Sequence, residues 1–220
     1  MCERISKRQR PNYFRAMTKP KAPTIRRNIP SEIRVPLRSH ATVIGELVWA
    51  SNFSHGAFEI LFSRVVNHTN FQMGRSVWHT AVSDSGQLKM LAAATKASDR
   101  LSVKMCANIL WAAEKARKLG ELRNDAVHSA TVVITTTKPA KIVPASIGTK
   151  PTRYEKLERM PDLKKQFRLV KGDLLQVGQY VHALWPHLAG FDLLPPLPRR
   201  PQLRSIQKDT SKKPVRRPKR

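Results

Sequence analysis

Arg123-Asn124-Asp125-Ala126-Val127-His128 gathers a permanent cation, a carboxamide and an imidazole into six residues. A guanidinium grips a phosphate at two points and keeps its charge at any physiological pH. An imidazole gives and takes protons near neutrality. Together they suffice for cleaving a phosphodiester without a metal. On a regular helix Asn124 and His128, four residues apart, share a face, so the amide could hold a ring nitrogen and choose its tautomer. Arg123 and His128, five apart, diverge by about 140°. Convergence of those two needs Arg123 at a frayed helix start, where free backbone N–H groups also attract phosphate.

The elements around this motif read as helices. Apolar residues at Ile44, Leu47, Val48, Phe58, Leu61, Phe62 and Val65 predict a long amphipathic helix from about Ser39 to Asn67–Asn70. A second segment covers roughly Arg75–Lys96, and Ser83-Asp84-Ser85-Gly86 could split it, with Ser83 or Ser85 as N-cap. A third covers about Ser98–Leu119, with Ser98 as N-cap and Gly120 as the residue that ends it. The motif then falls on a short helix from Glu121 to about Ala130. The β-branched run Thr131–Thr137, with Lys141–Val143 beyond it, predicts a hairpin or extended excursion. A closing helix runs from about Pro161 to Trp185, stopped by Pro186.

With Arg123, Asn124 and His128 in that setting, the chain resembles the HEPN superfamily. Its signature is Arg, four to six residues, then His, with Asn, Asp or His favoured after the Arg. The helix order is similar as well, with long first helices, a motif after the third and a closing helix behind. The resemblance covers about residues 39–190 and implies an all-α bundle of four to five helices. It further implies a homodimer in which two motifs face each other across a cleft. Many members are metal-independent endoribonucleases, often toxins or defence effectors, for which an antitoxin is a partner to expect; others bind RNA or nucleotides without cutting. On that model the 2′-OH attacks the adjacent phosphate, His128 is general base or acid, Arg123 stabilises phosphoryl charge and Asn124 orients His128. No cofactor or metal is called for.

Charge supports a polyanionic partner, with RNA the expected one. The 220-residue chain carries 41 Lys/Arg against 15 Asp/Glu, a net charge of +26. Residues 1–38 hold 11 Lys/Arg and residues 191–220 hold 10, against two acids each. This divides the chain into a Pro-containing basic arm (1–38), a folded domain (39–190) and a Pro-rich basic tail (191–220), both arms reading as disordered. In the tail, Lys212, Lys213, Arg216, Arg217, Lys219 and Arg220 form a polycation that binds phosphate backbones without reading sequence. The same cluster has the composition of a nuclear import signal, and the Arg-rich start that of an organellar transit peptide.

Other chemistry finds little support. Cys2 and Cys106 are too few for a disulfide framework or metal clip, which fits a cytoplasmic setting. No apolar run spans a membrane. The remaining histidines have no metal-ligand spacing. Trp49, Trp78, Trp111 and Trp185 read as core, and Glu46 as a solvated residue at the core edge, with orientation of Arg123 the alternative. The competing reading is a non-catalytic nucleic-acid-binding or scaffolding protein in which the arms do the binding and the motif only shapes a dimer interface.

Overall fold

The computed structural model describes residues 29–66, 70–188 and 196–206. It is an all-α bundle with one small hairpin, as the apolar periodicity predicts. Six α-helices occur among the described residues: α1 (Ser31–Val66), α2 (Phe71–Trp78), α3 (Asp84–Ala97), α4 (Val103–Val127), α5 (Pro151–Glu158) and α6 (Leu163–Leu184). Strands β1 (Thr131–Ile134) and β2 (Lys141–Pro144) pair antiparallel between α4 and α5, with Val132 opposite Val143 and Val133 opposite Ile142.

Side-chain caps set several helix starts. Asn70 accepts from the Met73 N–H at 3.0 Å, Ser83 from Gly86 at 3.1 Å, Ser102 from Met105 at 3.2 Å and Asp162 from Lys165 at 2.9 Å. Each satisfies one of the backbone donors that a helix start leaves without an intrahelical partner. Ser83 is therefore the cap that splits the second predicted segment, while Ser102, not Ser98, starts α4.

The long helix α1, about 54 Å at 1.5 Å per residue, is the spine. It packs most extensively against α6 and also touches α2, α3 and α4. Val43, Leu47, Phe58 and Leu61 on α1 meet Val170, Leu174, Val177 and Val181 on α6 in one continuous core with Ile109 and Leu119 of α4. Close approach of α2 to α1 needs Gly74, because a Cβ there would lie 2.6 Å from the Ser63 Cα. Gly178 of α6 similarly admits the Phe53 ring, which a Cβ would meet at 3.0 Å.

Several expectations are corrected. The first helix begins at Ser31, with Pro36 inside it, and its first two turns carry no buried residue and so no apolar stripe to announce them. Helix α5, short and mostly polar, has no periodic stripe to announce it. Trp49 is 62 % exposed and stacks on Phe53 instead of entering the core, whereas Trp78 is buried at 2 %.

The folded region also continues past residue 190. Residues 196–206 lie along the bundle: Leu203 is buried, and Leu197 and Ile206 pack on the core. The buried Asp173 carboxylate of α6 accepts hydrogen bonds from the Arg204 and Ser205 backbone N–H groups and from the Ser205 hydroxyl. Arg200 donates to the Asn108 side chain and the Ala107 carbonyl, and its guanidinium lies over the Trp111 ring. Lys212, Lys213, Arg216, Arg217, Lys219 and Arg220 fall outside the described residues, as do residues 1–28 of the N-terminal arm.

Candidate nucleic-acid site at the end of helix α4

Gly120 does not end a helix. Helix α4 runs unbroken through it to Val127, and His128 is the C-cap, its N–H bonded to the Asn124 carbonyl at 3.0 Å. The expected helix of Glu121–Ala130 is the last two turns of α4. A glycine inside a helix costs about 1 kcal/mol relative to Ala, which the flanking contacts of Ala116 and Leu119 with the core readily offset. The consequence for chemistry is direct: Arg123 sits near the negative end of the α4 dipole, so the start of its own helix does not assist it in binding phosphate.

The motif therefore presents two sides. On the first, the largely buried Arg123 side chain reaches back to α3, where its Nη2 donates to the Asp84 carboxylate. Asp84 opens α3, and the positive end of that helix dipole supports its charge. His55 of α1 places Nε2 3.5 Å from the same carboxylate oxygen. Burial holds the His55 imidazole below its ordinary pKa; Asp84 opposes this and Arg123 adds to it. His55 is thus the neutral member of a His55–Asp84–Arg123 cluster joining three helices. Beside it, His55, Asp84, Leu88, Gly120 and Asn124 line a small pocket of about 70 Å³. The Arg123 Nε and His55 Nδ1 are buried without a hydrogen-bond partner among the described residues.

On the second side, the His128 ring is exposed at the end of α4. Asp125, only 14 % exposed, turns toward α5 and accepts from Arg153 Nε at 3.1 Å and from Lys156 Nζ. Arg153 also donates through Nη1 to the His128 carbonyl at 3.2 Å. The hairpin is laced to the same place. Ala130 donates to the Thr149 hydroxyl at 3.0 Å, and Ala145 donates to the Ala130 carbonyl at 2.8 Å.

Arg123 and His128 thus look in different directions, as their five-residue separation on a regular helix requires. Among the described residues no side-chain bond joins Arg123 or Asn124 to His128; the Asn124–His128 bond runs through the backbone. Glu46 does not reach Arg123 but pairs with Lys171 of α6 at 2.9 Å. The residue that holds Arg123 is Asp84, whose only local signal was its place in a Ser-Asp-Ser-Gly break. Arg153 and Lys156 were not singled out at all, because they follow the motif by 25 residues and more and lie in a segment without periodicity. No group of His, Cys, Asp and Glu that could hold a metal occurs among the described residues, and no described helix is long and apolar enough to cross a membrane.

Comparison with protein-family models, with curated proteins and with solved structures finds no match to this chain.

Proposed function

We propose that this protein is a metal-independent endoribonuclease of HEPN type, which cuts RNA by attack of a ribose 2′-OH on the adjacent phosphate. The observation that carries the reading is the exposed His128 at the end of α4, one turn from Asn124 and bonded through its carbonyl to Arg153, in a chain of net charge +26. An exposed imidazole there can remove the 2′-OH proton or protonate the 5′-oxygen that leaves. Phosphoryl charge built up during attack needs a fixed cation, and the Asp84 carboxylate fixes the direction of Arg123.

Because Arg123 and His128 diverge within one chain, a composite site across a homodimer is the arrangement that best uses both. One copy then supplies the imidazole and its partner the guanidinium, or a second imidazole acts as the acid. The products are a 2′,3′-cyclic phosphate and a 5′-hydroxyl. A toxin or defence role, with an antitoxin as partner and the cytoplasm as its place of action, belongs to the same proposal.

The test is cleavage of single-stranded RNA by the full chain with and without excess chelator, beside His128→Ala. Removing a general acid–base group lowers the rate about 10²- to 10⁴-fold; chelator changes nothing. Cleavage that stops with chelator, or persists in His128→Ala, refutes the mechanism. The second reading, binding without cutting, is favoured by the ion pair that already occupies Arg123. It predicts salt-dependent RNA binding that His128→Ala leaves intact and no cleavage by the wild type.

A further inference from the structure

We propose that Arg153 and Lys156, gathered by Asp125 beside His128, form a subsite for a phosphodiester of the RNA backbone within a single protomer. The inference deepens the nuclease reading and rests on it for the identity of the ligand.

The two cations that could serve His128 differ in how far their charge is spoken for. Arg123 faces Asp84 on the other side of α4, one guanidinium to that carboxylate, and its side chain is 19 % exposed, much as the 20 % of Arg153. Arg153 faces the His128 end. It and Lys156 are three residues apart on α5 and so share one face. A single carboxylate, Asp125, stands between them, so this group of three carries a net positive charge. Asp125 itself is 14 % exposed, whereas Lys156 is 44 % exposed. Arg153 is 20 % exposed, so of the three groups Lys156 meets solvent most and Asp125 least.

Arg153 spends Nε on Asp125 and Nη1 on the His128 carbonyl. Its Nη2 takes no bond among the described residues. That leaves a planar donor directed by two fixed contacts, one of them with the backbone of His128 itself. One directed guanidinium nitrogen with a flexible ammonium beside it can take the two non-bridging oxygens of a phosphodiester, one each. The hairpin is then more than a connection. By returning the chain to the end of α4, β1 and β2 deliver α5 with its two cations to His128.

In this subsite Arg153 touches the phosphate next to the reacting ribose, and Lys156 adds charge without a fixed geometry. The remaining acids of α5 do not compete there: Glu158 accepts from the Tyr154 hydroxyl at 2.8 Å, and Glu155 pairs with Arg159.

The experiment uses the full chain and two single-stranded oligonucleotides of one sequence, an all-ribose RNA for cleavage and its 2′-O-methyl form, which cannot be cut, for binding. Lys156→Gln and Arg153→Lys are compared with wild type, and thermal unfolding reports that the fold is kept. Lys156→Gln should weaken binding of the 2′-O-methyl strand several-fold and flatten the slope of log K against log salt by about 0.7, the value for one lost phosphate contact on a single strand. Arg153→Lys keeps the ion pair with Asp125, so binding should hold while kcat falls about tenfold, since a single ammonium cannot hold Asp125 and the His128 carbonyl and still direct a donor at the phosphate. If wild type cleaves RNA and both variants match it in kcat, KM and salt slope, the subsite is wrong while the nuclease reading stands. If wild type binds the 2′-O-methyl strand without cutting the ribose strand, and Lys156→Gln still flattens the slope, the subsite stands as a binding site and the nuclease reading falls. Should Arg153→Lys unfold the protein, an unchanged salt slope in Lys156→Gln alone overturns the proposal.

Discussion

Asp173→Ala tests whether residues 196–206 belong to the fold. The carboxylate, on α6 and 2 % exposed, accepts from Arg204 N–H at 3.1 Å, Ser205 N–H at 2.7 Å and the Ser205 hydroxyl at 2.6 Å. Hydrogen bonds to a charged acceptor contribute about 1.5–3 kcal/mol each, so three would sum to at least about 4.5 kcal/mol if the donors stayed buried. They need not stay buried, because the segment can detach and give them to water. The loss is therefore capped by what docking the whole segment contributes. Docking covers Leu203, 6 % exposed, for about 1.5–3 kcal/mol, offset by the entropy of ordering the segment. We expect Asp173→Ala to cost roughly 2–4 kcal/mol, which at 2–4 °C per kcal/mol lowers Tm by roughly 4–16 °C. Calorimetry on the full chain measures this, beside chains truncated after Leu188 and after Ile206. Truncation after Leu188 should destabilise at least as much as Asp173→Ala. Truncation after Ile206 keeps Leu203, Arg204 and Ser205 and should destabilise less than truncation after Leu188. Equal Tm values for wild type, Asp173→Ala and the shorter truncation would refute the reasoning and return residues 196–206 to the role of a tail.

Three further predictions follow from the site. Asp84→Asn releases Arg123 from its anchor, so cleavage should fall roughly ten- to a hundredfold with little change in RNA affinity; wild-type kcat would exclude Asp84 as a positioning residue. Burial holds His40 and His55 below their ordinary pKa, with the Lys164 charge adding to the effect at His40. The unfolded chain therefore takes up protons that the folded one refuses, and their contribution to stability, complete above about pH 6.5, is lost as pH falls through that value. Tm should accordingly drop between pH 7.5 and pH 5.5, and His55→Gln should shrink the drop; an identical drop in the variant would show that His55 does not titrate as argued. A composite site requires two copies, so sedimentation at micromolar concentration should give a dimer, and undiminished cleavage by a monomer would defeat that arrangement.

How much of this was legible in the residues themselves depends on the range of the interactions. Helix-forming periodicity is local, so Leu47, Phe58 and Leu61 announced α1, and Val170, Leu174, Val177 and Val181 announced α6. The β-branched run after the motif announced a hairpin for the same reason. The motif was legible too, since Arg123, Asn124 and His128 carry their chemistry in their side chains wherever the fold puts them. What the residues alone could not decide was direction. Gly120 reads equally as a stop or as an interior residue, and only the packing of Ala116, Leu119 and Ala126 into the core keeps α4 helical through it. That continuity turns Arg123 toward Asp84, 39 positions earlier in the chain, and leaves the His128 carbonyl to accept from Arg153, 25 positions later. In the same way the charge of residues 196–206 was plain from composition, but their docking depends on one buried acceptor, Asp173, and no local pattern says that a carboxylate on α6 will wait for the backbone of Arg204 and Ser205. Local periodicity sets which elements form; pairing between distant residues, visible only once the chain is folded, sets which groups meet.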